Sequence, residues 1–345
     1  MRRYRSLCYF NSGAIGEFLM MLYFADLLER SAKTLGVEVP QVDIVVQRNA
    51  ALVRELAACY PNVRIIELSR KSIFRTILQA RRGSLPRMFI TQQTFGKIPL
   101  PIKCIARLSA LGPGRYLGGF DDHMPVNRFL YNERWEFDTA RLFPETMHWL
   151  AEHIGYPTNY VAPRLKWPEQ PFPESKTRPI VLHVCAQGEK RSLPLARWKV
   201  LIAKLRGHYP KATFAFTGSG ADREFIDAAI EGIRDCENSA GKISITESIA
   251  LLKSARLFIG VDTGITHLAA FLGCRGVVLG NNSNPCWSTK YCPSLTWLAA
   301  DGRCTCLGNK KGDCTEYVDG KPYYRCLLDI SDESIIAAAD AILAA

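Results

Sequence analysis

The region from residue 257 to residue 273 carries the residue types best suited to bind an anion. Leu257 to Val261 is a short apolar run that predicts a buried parallel strand. A polar turn follows it: Asp262, Thr263 and Gly264. Ile265 to Leu272 predicts a helix, with His267 near its start and four residues after Thr263. The unpaired N–H groups at such a helix start can hold a phosphate, but a capped crossover helix with a structural histidine has the same pattern.

Two further turns in this half of the chain follow predicted strands. The strands are Ile180 to Val184 and Ala212 to Phe216. The turns contribute Lys190 and Arg191 after the first strand, and Thr217 and Gly218 after the second. Because the carboxyl ends of parallel strands meet at one edge of a sheet, we expect these turns to approach the same ligand.

The N-terminal region reads as a strand, a small-residue turn and a long helix. Leu7 to Phe10 predicts the strand, and Glu17 to Leu35 predicts the helix. Gly13 and Gly16 lie in the turn, but they lack the full dinucleotide-binding spacing. Glu17 is then a carboxylate at a helix start, where a negative charge commonly stabilises the helix without any catalytic role.

A basic segment spans residues 70–87. Its cationic residues are Arg70, Lys71, Arg75, Arg81, Arg82 and Arg87. Apolar residues such as Phe74 and Leu78 lie among them. A solvated helix face explains such a pattern, and so does a cradle for an anionic acceptor or for lipid headgroups.

Four of the twelve cysteines lie close to one another in sequence near the C-terminus: Cys304, Cys306, Cys314 and Cys326. Their spacing differs from that of the common zinc knuckle. Three interpretations stay open, namely a four-thiolate zinc or iron site, reduced structural thiols, or a disulfide, which a reducing compartment disfavours.

Composition limits the partners. The chain has 345 residues and a net charge of +11, from 44 basic and 33 acidic residues, which favours an anionic partner. It contains no apolar run long enough to span a membrane, and its basic start leads into a strand pattern rather than a cleavable signal. We therefore expect a cytoplasmic protein. Nucleic acid is not the expected partner, because no recognition helix or RNP-like strand accompanies the charge.

The order of the elements predicts two α/β domains. Strands and helices alternate in both halves, and Glu133 to His153 reads as one helix. A proline-rich stretch over residues 156–179 predicts a connector between a domain at 1–155 and a domain at 180–331, followed by a last helix at 332–345. Two such domains with facing ligand edges would enclose a cleft.

Three segments, in order, resemble glycosyltransferase family 9, the ADP-heptose:lipopolysaccharide heptosyltransferases. They are Ser12-Gly-Ala-Ile-Gly-Glu17, His183-Val-Cys-Ala-Gln-Gly-Glu-Lys190-Arg191 with Pro194 and Trp198, and Gly260-Val-Asp262-Thr263-Gly264-Ile-Thr-His267-Leu-Ala-Ala. The third is similar to the family's Asp-Thr-Gly-x-x-His-Leu-Ala-Ala signature and is the most specific.

The resemblance implies a GT-B architecture, with two Rossmann-like domains whose parallel sheets face an interdomain cleft. The donor nucleotide would bind the C-terminal domain and the acceptor the N-terminal one, and the last helix would pack back on the first domain. The implied reaction is inverting and needs no metal for its chemistry. The implied donor-binding residues are Lys190, Arg191, Thr217, Gly218, Asp262, Thr263, Gly264 and His267.

The same resemblance makes Glu17 the candidate general base. The family usually has an aspartate there, so this side chain is one methylene longer, and Asp121 or Asp122 is the alternative base. The acceptor-binding candidates are Gly13, Gly16, Arg75, Arg81 and Arg82. Family members often carry cysteines before the last helix, and a related branch that modifies autotransporter proteins binds iron through a cysteine cluster.

The sequence thus predicts a transferase that moves a sugar, heptose by resemblance, from a nucleotide diphosphate such as ADP to an anionic lipopolysaccharide-core acceptor. A peripheral position at the inner membrane would suit that acceptor. Two alternatives remain open: heptose transfer to protein, and a catalytically silent nucleotide-sugar binder.

Overall fold

A computed structural model describes residues 3–11, 14–68, 73–91, 98–121, 123–136, 138, 140–168, 178–280, 288–300 and 314–345. The chain forms two compact units, Met1–Trp167 and Pro168–Ala345. The division falls inside the proline-rich stretch at 156–179. Each unit contains one six-stranded parallel sheet.

The first unit alternates strands and helices. Its strands are β1 (Ser6–Asn11), β2 (Gln41–Val46), β3 (Val63–Glu67), β4 (Arg87–Thr91), β5 (Arg115–Phe120) and β6 (Glu133–Trp135). Its helices are α1 (Ile15–Leu35), α2 (Ala50–Ala57), α3 (Ile73–Arg81), α4 (Leu100–Ser109), α5 (Asn127–Leu130) and α6 (Phe143–His153). The sheet order is β3-β2-β1-β4-β5-β6, which is the doubly wound order with its switch point between β1 and β4.

The prediction of one helix over Glu133 to His153 is wrong. Residues 133–135 form β6, and the helix starts only at Phe143. Trp135 is buried, with its ring edge-on to Phe120 at a centroid distance of 5.4 Å. Pairing with β5 and burial of this large ring therefore override the local pattern.

The second unit repeats the same design. Its parallel strands are β7 (Ile180–His183), β8 (Phe214–Phe216), β9 (Cys236–Asn238), β10 (Leu257–Val261), β11 (Gly276–Leu279) and β12 (Leu295–Leu298). A hairpin, β13 (Thr315–Val318) with β14 (Lys321–Tyr324), is separate from that sheet. The helices are α7 (Leu195–His208), α8 (Arg223–Ile230), α9 (Ile245–Ser254), α10 (Gly264–Leu272), α11 (Arg325–Leu328) and α12 (Asp332–Ala344). The order β12-β11-β10-β7-β8-β9 places the switch point between β7 and β10.

The last helix, α12, packs on the second unit. Ile335 and Ala339 are fully buried in the core that includes strands of the second sheet. Asp332, also buried, pairs with Arg197 at 2.9 Å and with Lys204 at 2.9 Å, both on α7. The expectation that this helix packs back on the first domain is therefore corrected, because its apolar face and its anchoring carboxylate are both engaged here.

In the part of the chain that the structure describes, every helix is too short or too polar to cross a membrane.

Candidate functional site

The switch point of the second sheet lies where β7 and β10 run side by side. Gly260 pairs with His183 near the carboxyl ends of these strands. Ligands of doubly wound sheets bind outside the carboxyl ends of the strands at such a point, because the helices that follow leave to opposite faces. The turn after β7 carries Lys190 and Arg191, and the turn after β10 carries Asp262. The topology thus brings these two sequence-predicted turns to one edge.

The turn after β10 forms a helix start that is partly accessible. β10 is buried throughout, and α10 begins at Gly264 with Thr263 as its extended N-cap residue. Thr263 and Gly264 keep part of their surface, whereas α10 beyond Ile265 is buried except at its last residue. The helix ends at Gly273, whose positive φ of 72° suits glycine. Its first N–H groups therefore provide an anion-binding edge with fixed geometry.

Arg191 holds the Asp262 turn in place. Its Nη2 donates to the Asp262 carbonyl oxygen at 2.6 Å and lies 3.9 Å from Oδ2 of the same residue. The Asp262 side chain is nearly buried, whereas about a third of the Arg191 side chain remains exposed. A guanidinium beside the carboxylate offsets its negative charge where a phosphate would approach. Arg191 thus positions the Asp262 turn through these contacts, a role that the sequence did not predict.

Lys190 contacts a different element. Its Nζ donates to the Thr315 hydroxyl at 3.2 Å, at the start of the β13–β14 hairpin. The short 3₁₀ turn that carries Lys190, Glu189–Arg191, packs against β14. The hairpin therefore supports the lysine proposed for the diphosphate. Thr315 carried no signal in the sequence.

His267 is held by a tyrosine that the sequence analysis missed. The Tyr291 hydroxyl lies 3.0 Å from His267 Nδ1, and the two rings stack at 5.9 Å with a tilt of 25°. Phe271 closes the other side of Tyr291 edge-on at 6.4 Å. When the tyrosine donates, the neutral imidazole carries its own proton on Nε2, and this N–H can donate to a phosphate oxygen.

Thr217 and Gly218 have structural roles. The buried Thr217 hydroxyl donates to the Leu182 carbonyl oxygen at 3.4 Å and lies 3.2 Å from Nδ1 of His183. Burial lowers the pKa of His183, and its hydrogen bond to Thr217 opposes that shift in part. A Cβ on Gly218 would lie 3.0 Å from the Cβ of Asp222, so the glycine permits close packing. These contacts give both residues a structural role in the turn, and their contact with the donor stays a prediction.

Glu17 lies in the first turn of α1, which follows β1 at the switch point of the first sheet. The side chain is half-buried. Beneath it, burial and then the charge of the Glu17 carboxylate raise the pKa of Tyr9 well above its ordinary value. Glu17 therefore lies at the carboxyl edge of the first sheet, the edge at which doubly wound sheets bind their ligands. Gly13 lies outside the described residues, and Gly16 forms part of the same helix start.

Asp121, the alternative base, is engaged in a local network. Its Oδ1 accepts hydrogen bonds from Asn127 Nδ2 at 2.6 Å and from the His123 N–H at 2.9 Å. Arg134 lies 3.4 Å from its Oδ2. The Asp121 carboxylate is therefore occupied by contacts within the protein. Asp122 lies outside the described residues.

The basic segment at 70–87 does not form one cradle. Arg75 is exposed in the first turn of α3. Arg81 Nη1 instead donates to carbonyl oxygens at the end of α4, those of Leu108 at 3.1 Å and Ser109 at 3.3 Å. Arg87 is fully buried and pairs with Asp43. Arg70 and Lys71 lie outside the described residues.

The direction of α3 separates these arginines. The helix connects the carboxyl end of β3 to the amino end of β4, so Arg81 and the exposed Arg82 lie by the edge opposite to Glu17. Strands of five or six residues put the two edges about 17–20 Å apart. Among the arginines of this segment that the structure describes, Arg75 alone is on the side expected for an acceptor, and we correct the assignment of Arg81 and Arg82 accordingly.

The hairpin brings two of the four clustered cysteines together. The Arg325 N–H donates to the Cys314 carbonyl oxygen at 2.9 Å, so Cys314 lies beside the residue that precedes Cys326. The Cys326 side chain is buried. Cys304 and Cys306 lie outside the described residues, and the described ones contain no group of three or more metal-ligating side chains.

Two doubly wound units of equal topology form the GT-B architecture. The family model for glycosyltransferase family 9 (heptosyltransferase) matches residues 108–313. The chain therefore belongs to glycosyltransferase family 9 and is a glycosyltransferase enzyme.

Relatives agree with this family. The chain is 29% identical over 152 residues to lipopolysaccharide heptosyltransferase 1 of Pseudomonas aeruginosa, and this alignment spans 43% of the chain but only 35% of that relative. The structure of Escherichia coli heptosyltransferase WaaC with ADP is similar over 98% of this chain and 99% of that one, with a TM-score of 0.70 and 14% identity. The iron-containing dodecameric glycosyltransferase TibC of enterotoxigenic E. coli is similar over 99% of this chain and 77% of that one, with a TM-score of 0.55 and 14% identity. At these identities the structures show the shared fold.

Proposed function

We propose that the enzyme transfers a heptose from ADP-heptose to the core of lipopolysaccharide, with inversion at the anomeric carbon. The observation that carries the proposal is the Asp262 turn, which Arg191 holds beside the start of α10 at the switch point of the second sheet. A relative named lipopolysaccharide heptosyltransferase and a similar structure that contains ADP support this choice of donor and acceptor.

The donor would bind with its diphosphate at the start of α10. The N–H groups there, the His267 imidazole and the Lys190 ammonium supply hydrogen bonds and positive charge to it. Negative charge grows on the diphosphate as the sugar leaves, so donors that are already in place lower the barrier. Arg191 and Tyr291 would act indirectly, through Asp262 and His267 respectively.

Glu17 is the proposed general base. Its carboxylate takes the proton of an acceptor hydroxyl while that oxygen bonds to the anomeric carbon of the donor, and the bond between that carbon and the diphosphate oxygen breaks. The diphosphate leaves with the electron pair, so the step needs no metal. The helix start stabilises the Glu17 anion and weakens it as a base, so its placement must supply part of its catalysis.

The acceptor is proposed to be an anionic glycolipid, which suits the net charge of +11. Gly13, Gly16 and Arg75 are the residues proposed to bind this acceptor. A cytoplasmic enzyme lying on the inner membrane would meet such an acceptor, and the oligomeric state is left open.

A structural zinc or iron ion at Cys304, Cys306, Cys314 and Cys326 is part of the proposal. The backbone hydrogen bond between Cys314 and Arg325, the neighbour of Cys326, supports this proposal because it keeps two of the four cysteines close in the fold. An ion there would hold Cys314 in place next to Thr315, the residue that contacts Lys190. Reduced thiols or a disulfide are the alternatives, and no step of the transfer depends on the ion.

The second candidate function is heptose transfer to protein. The cysteine cluster favours it, since the similar structure TibC is described as an iron-containing glycosyltransferase. The same donor site would serve both functions, so only the acceptor separates them.

Calorimetric titration of nucleotide sugars tests the donor site. ADP-heptose and ADP should bind, and Asp262→Ala and His267→Ala should each weaken binding about tenfold or more, as expected for a lost charge-assisted hydrogen bond. Asp340→Ala, on the outer side of α12, is the matched control and should bind normally. Unchanged affinity in both site variants would overturn the assignment. Transfer assays with lipopolysaccharide core and with protein acceptors then decide between the two functions.

A further inference from the structure

The charge of this chain is concentrated in one part of the first unit. Residues 68–120, which contain α3, β4, α4 and β5, include no aspartate or glutamate. They include ten basic residues: Arg70, Lys71, Arg75, Arg81, Arg82, Arg87, Lys97, Lys103, Arg107 and Arg115. This stretch therefore carries a net positive charge, because it contains no carboxylate side chain to balance its basic residues.

The two helices of this stretch lie in one layer. Ala80 of α3 and Ile105 and Ala106 of α4 are buried in a single core cluster with residues of β1, β4 and β5. Arg81 joins the ends of the two helices through its hydrogen bonds to the carbonyl oxygens of Leu108 and Ser109. Two helices that pack side by side on one face of a sheet present their outer sides in the same direction.

Both helices expose large apolar side chains on that outer side. On α3, Phe74 is 72% exposed and Leu78 is 46% exposed, while the smaller Thr76 and Ala80 are buried. Phe74 and Leu78 are four residues apart and so share one helix face. The helix therefore carries large apolar side chains on its outer side in addition to Ile77, which packs against the core.

The second helix also exposes large apolar side chains on its outer side, while Ile105 on its inner side is buried in the core. Leu100 and Leu108, eight residues apart on one face of α4, are 43% and 48% exposed, and Leu111, just beyond the helix, is 47% exposed. Lys103 and Ser109 of the same helix are buried. We name the surface formed by Phe74, Leu78, Leu100, Leu108 and Leu111 the α3–α4 face.

Arginines border this face. Arg75 and Arg82 are exposed on and just after α3. Near the end of α3, burial and the nearby guanidiniums of Arg81 and Arg87 lower the pKa of Arg115, so positive charges are crowded together there. Exposed apolar side chains surrounded by arginines are complementary to a bilayer with anionic headgroups, in which apolar groups enter the acyl boundary and cations remain among the phosphates.

We propose that the α3–α4 face is the surface by which this enzyme lies on an anionic lipid bilayer. This contact extends well beyond Arg75, the residue it shares with the proposed acceptor site, because Arg82 and Arg115 lie toward the edge of the sheet opposite to Glu17. It also does not depend on the identity of the sugar donor. A membrane contact here would leave the Glu17 end of the sheet directed to the acceptor.

Vesicle flotation tests the face with probes that contain no acceptor. The wild-type enzyme should float with vesicles of phosphatidylglycerol and phosphatidylethanolamine, should bind phosphatidylcholine vesicles at least tenfold more weakly, and should be released by high salt. Phe74→Ser/Leu78→Ser should reduce binding to the anionic vesicles by about tenfold or more, because both apolar contacts are lost. Arg75→Gln/Arg82→Gln should also reduce it by about tenfold or more and should weaken its salt dependence.

Matched controls come from the second unit. Val200→Ser removes a 49% exposed apolar side chain from α7, and Lys211→Gln/Arg234→Gln removes two exposed charges. Neither change should alter flotation. ADP titration of the serine variant checks that it is folded, and failure of the wild type to bind ADP would count against the proposed function while leaving the flotation result intact.

Equal binding to anionic and neutral vesicles would overturn the proposal, and so would unaltered flotation of the Phe74/Leu78 variant. Light scattering tests the alternative that the α3–α4 face binds a second copy of the chain. If the wild type ignores vesicles but forms a dimer that Phe74→Ser/Leu78→Ser dissociates, the face binds a second copy of the chain instead.

Discussion

Removing the Tyr291 hydroxyl should weaken donor binding through His267 alone. Tyr291→Phe keeps the ring that stacks on the imidazole at 5.9 Å and deletes only the group 3.0 Å from Nδ1. A hydrogen bond of this kind contributes about 0.5–1.5 kcal/mol net. If that free energy favours the tautomer with its proton on Nε2, its loss should weaken ADP affinity by about 2- to 13-fold.

A double-mutant cycle measures whether the effect passes through the imidazole. ADP affinity is determined by calorimetry for the wild type, Tyr291→Phe, His267→Ala and the double variant. The tyrosine change should have no effect once His267 is absent. Tyr209→Phe is the matched control, because its hydroxyl donates to Asp340 at 2.7 Å on the outer surface of the second unit.

Nitrogen-15 NMR of labelled histidine gives an independent measurement. The chain has only six histidines, so the His267 signals can be assigned with the alanine variant. The proton should be on Nε2 in the wild type and should shift in part to Nδ1 in Tyr291→Phe. An equal loss of affinity in the presence and absence of His267, or an unchanged tautomer with unchanged affinity, would refute the reasoning.

Three further predictions concern other parts of the chain. Glu17→Gln should lower kcat by about 10²–10⁴-fold with donor affinity preserved, and Glu17→Asp should keep more activity; a near wild-type rate for Glu17→Gln would move the base to Asp121 or Asp122. The pKa of His183 is lowered from 6.5 in the folded protein, so the free energy of unfolding should be constant above that pH and fall by up to about 1.4 kcal/mol per pH unit below it, until the lower folded pKa is reached. Urea titrations at several pH values should show this slope in the wild type and in His208→Gln but not in His183→Gln. Elemental analysis should find about one zinc or iron ion per chain, and well under half an ion with four titratable thiols would remove the metal proposal for Cys304, Cys306, Cys314 and Cys326.

Local sequence alone predicts the framework of this protein. The apolar run at 257–261, the turn at Asp262 and the glycine at 273 predict β10 and α10, and the structure confirms both within one residue. These signals act over a few residues, because capping, glycine conformation and strand burial are local or periodic properties. For the same reason Gly36, at the end of α1, ends a helix as the sequence indicates. The alternation of such elements is enough to predict two α/β domains, and the resemblance of three motif segments indicates the family.

Only the tertiary structure decides which side chains meet. Tyr291 reaches His267 from 24 residues away, and Thr315 reaches Lys190 from 125 residues away. Arg191 lies 71 residues before the turn that it holds. No periodicity or spacing links such residues, because their contacts depend on which strands become neighbours in the sheet.

The same cause explains the expectations that are wrong. Residues 133–135 look helical until β5 offers them a pairing edge and Phe120 packs against Trp135. The arginines of the basic segment form one group in sequence. In the structure, α3 runs from one edge of the sheet to the other and therefore places Arg75 near one edge and Arg81 near the opposite edge. Sequence therefore determines the elements and their order, whereas the location of each charge and the partners of each site residue follow from packing between segments distant in the chain.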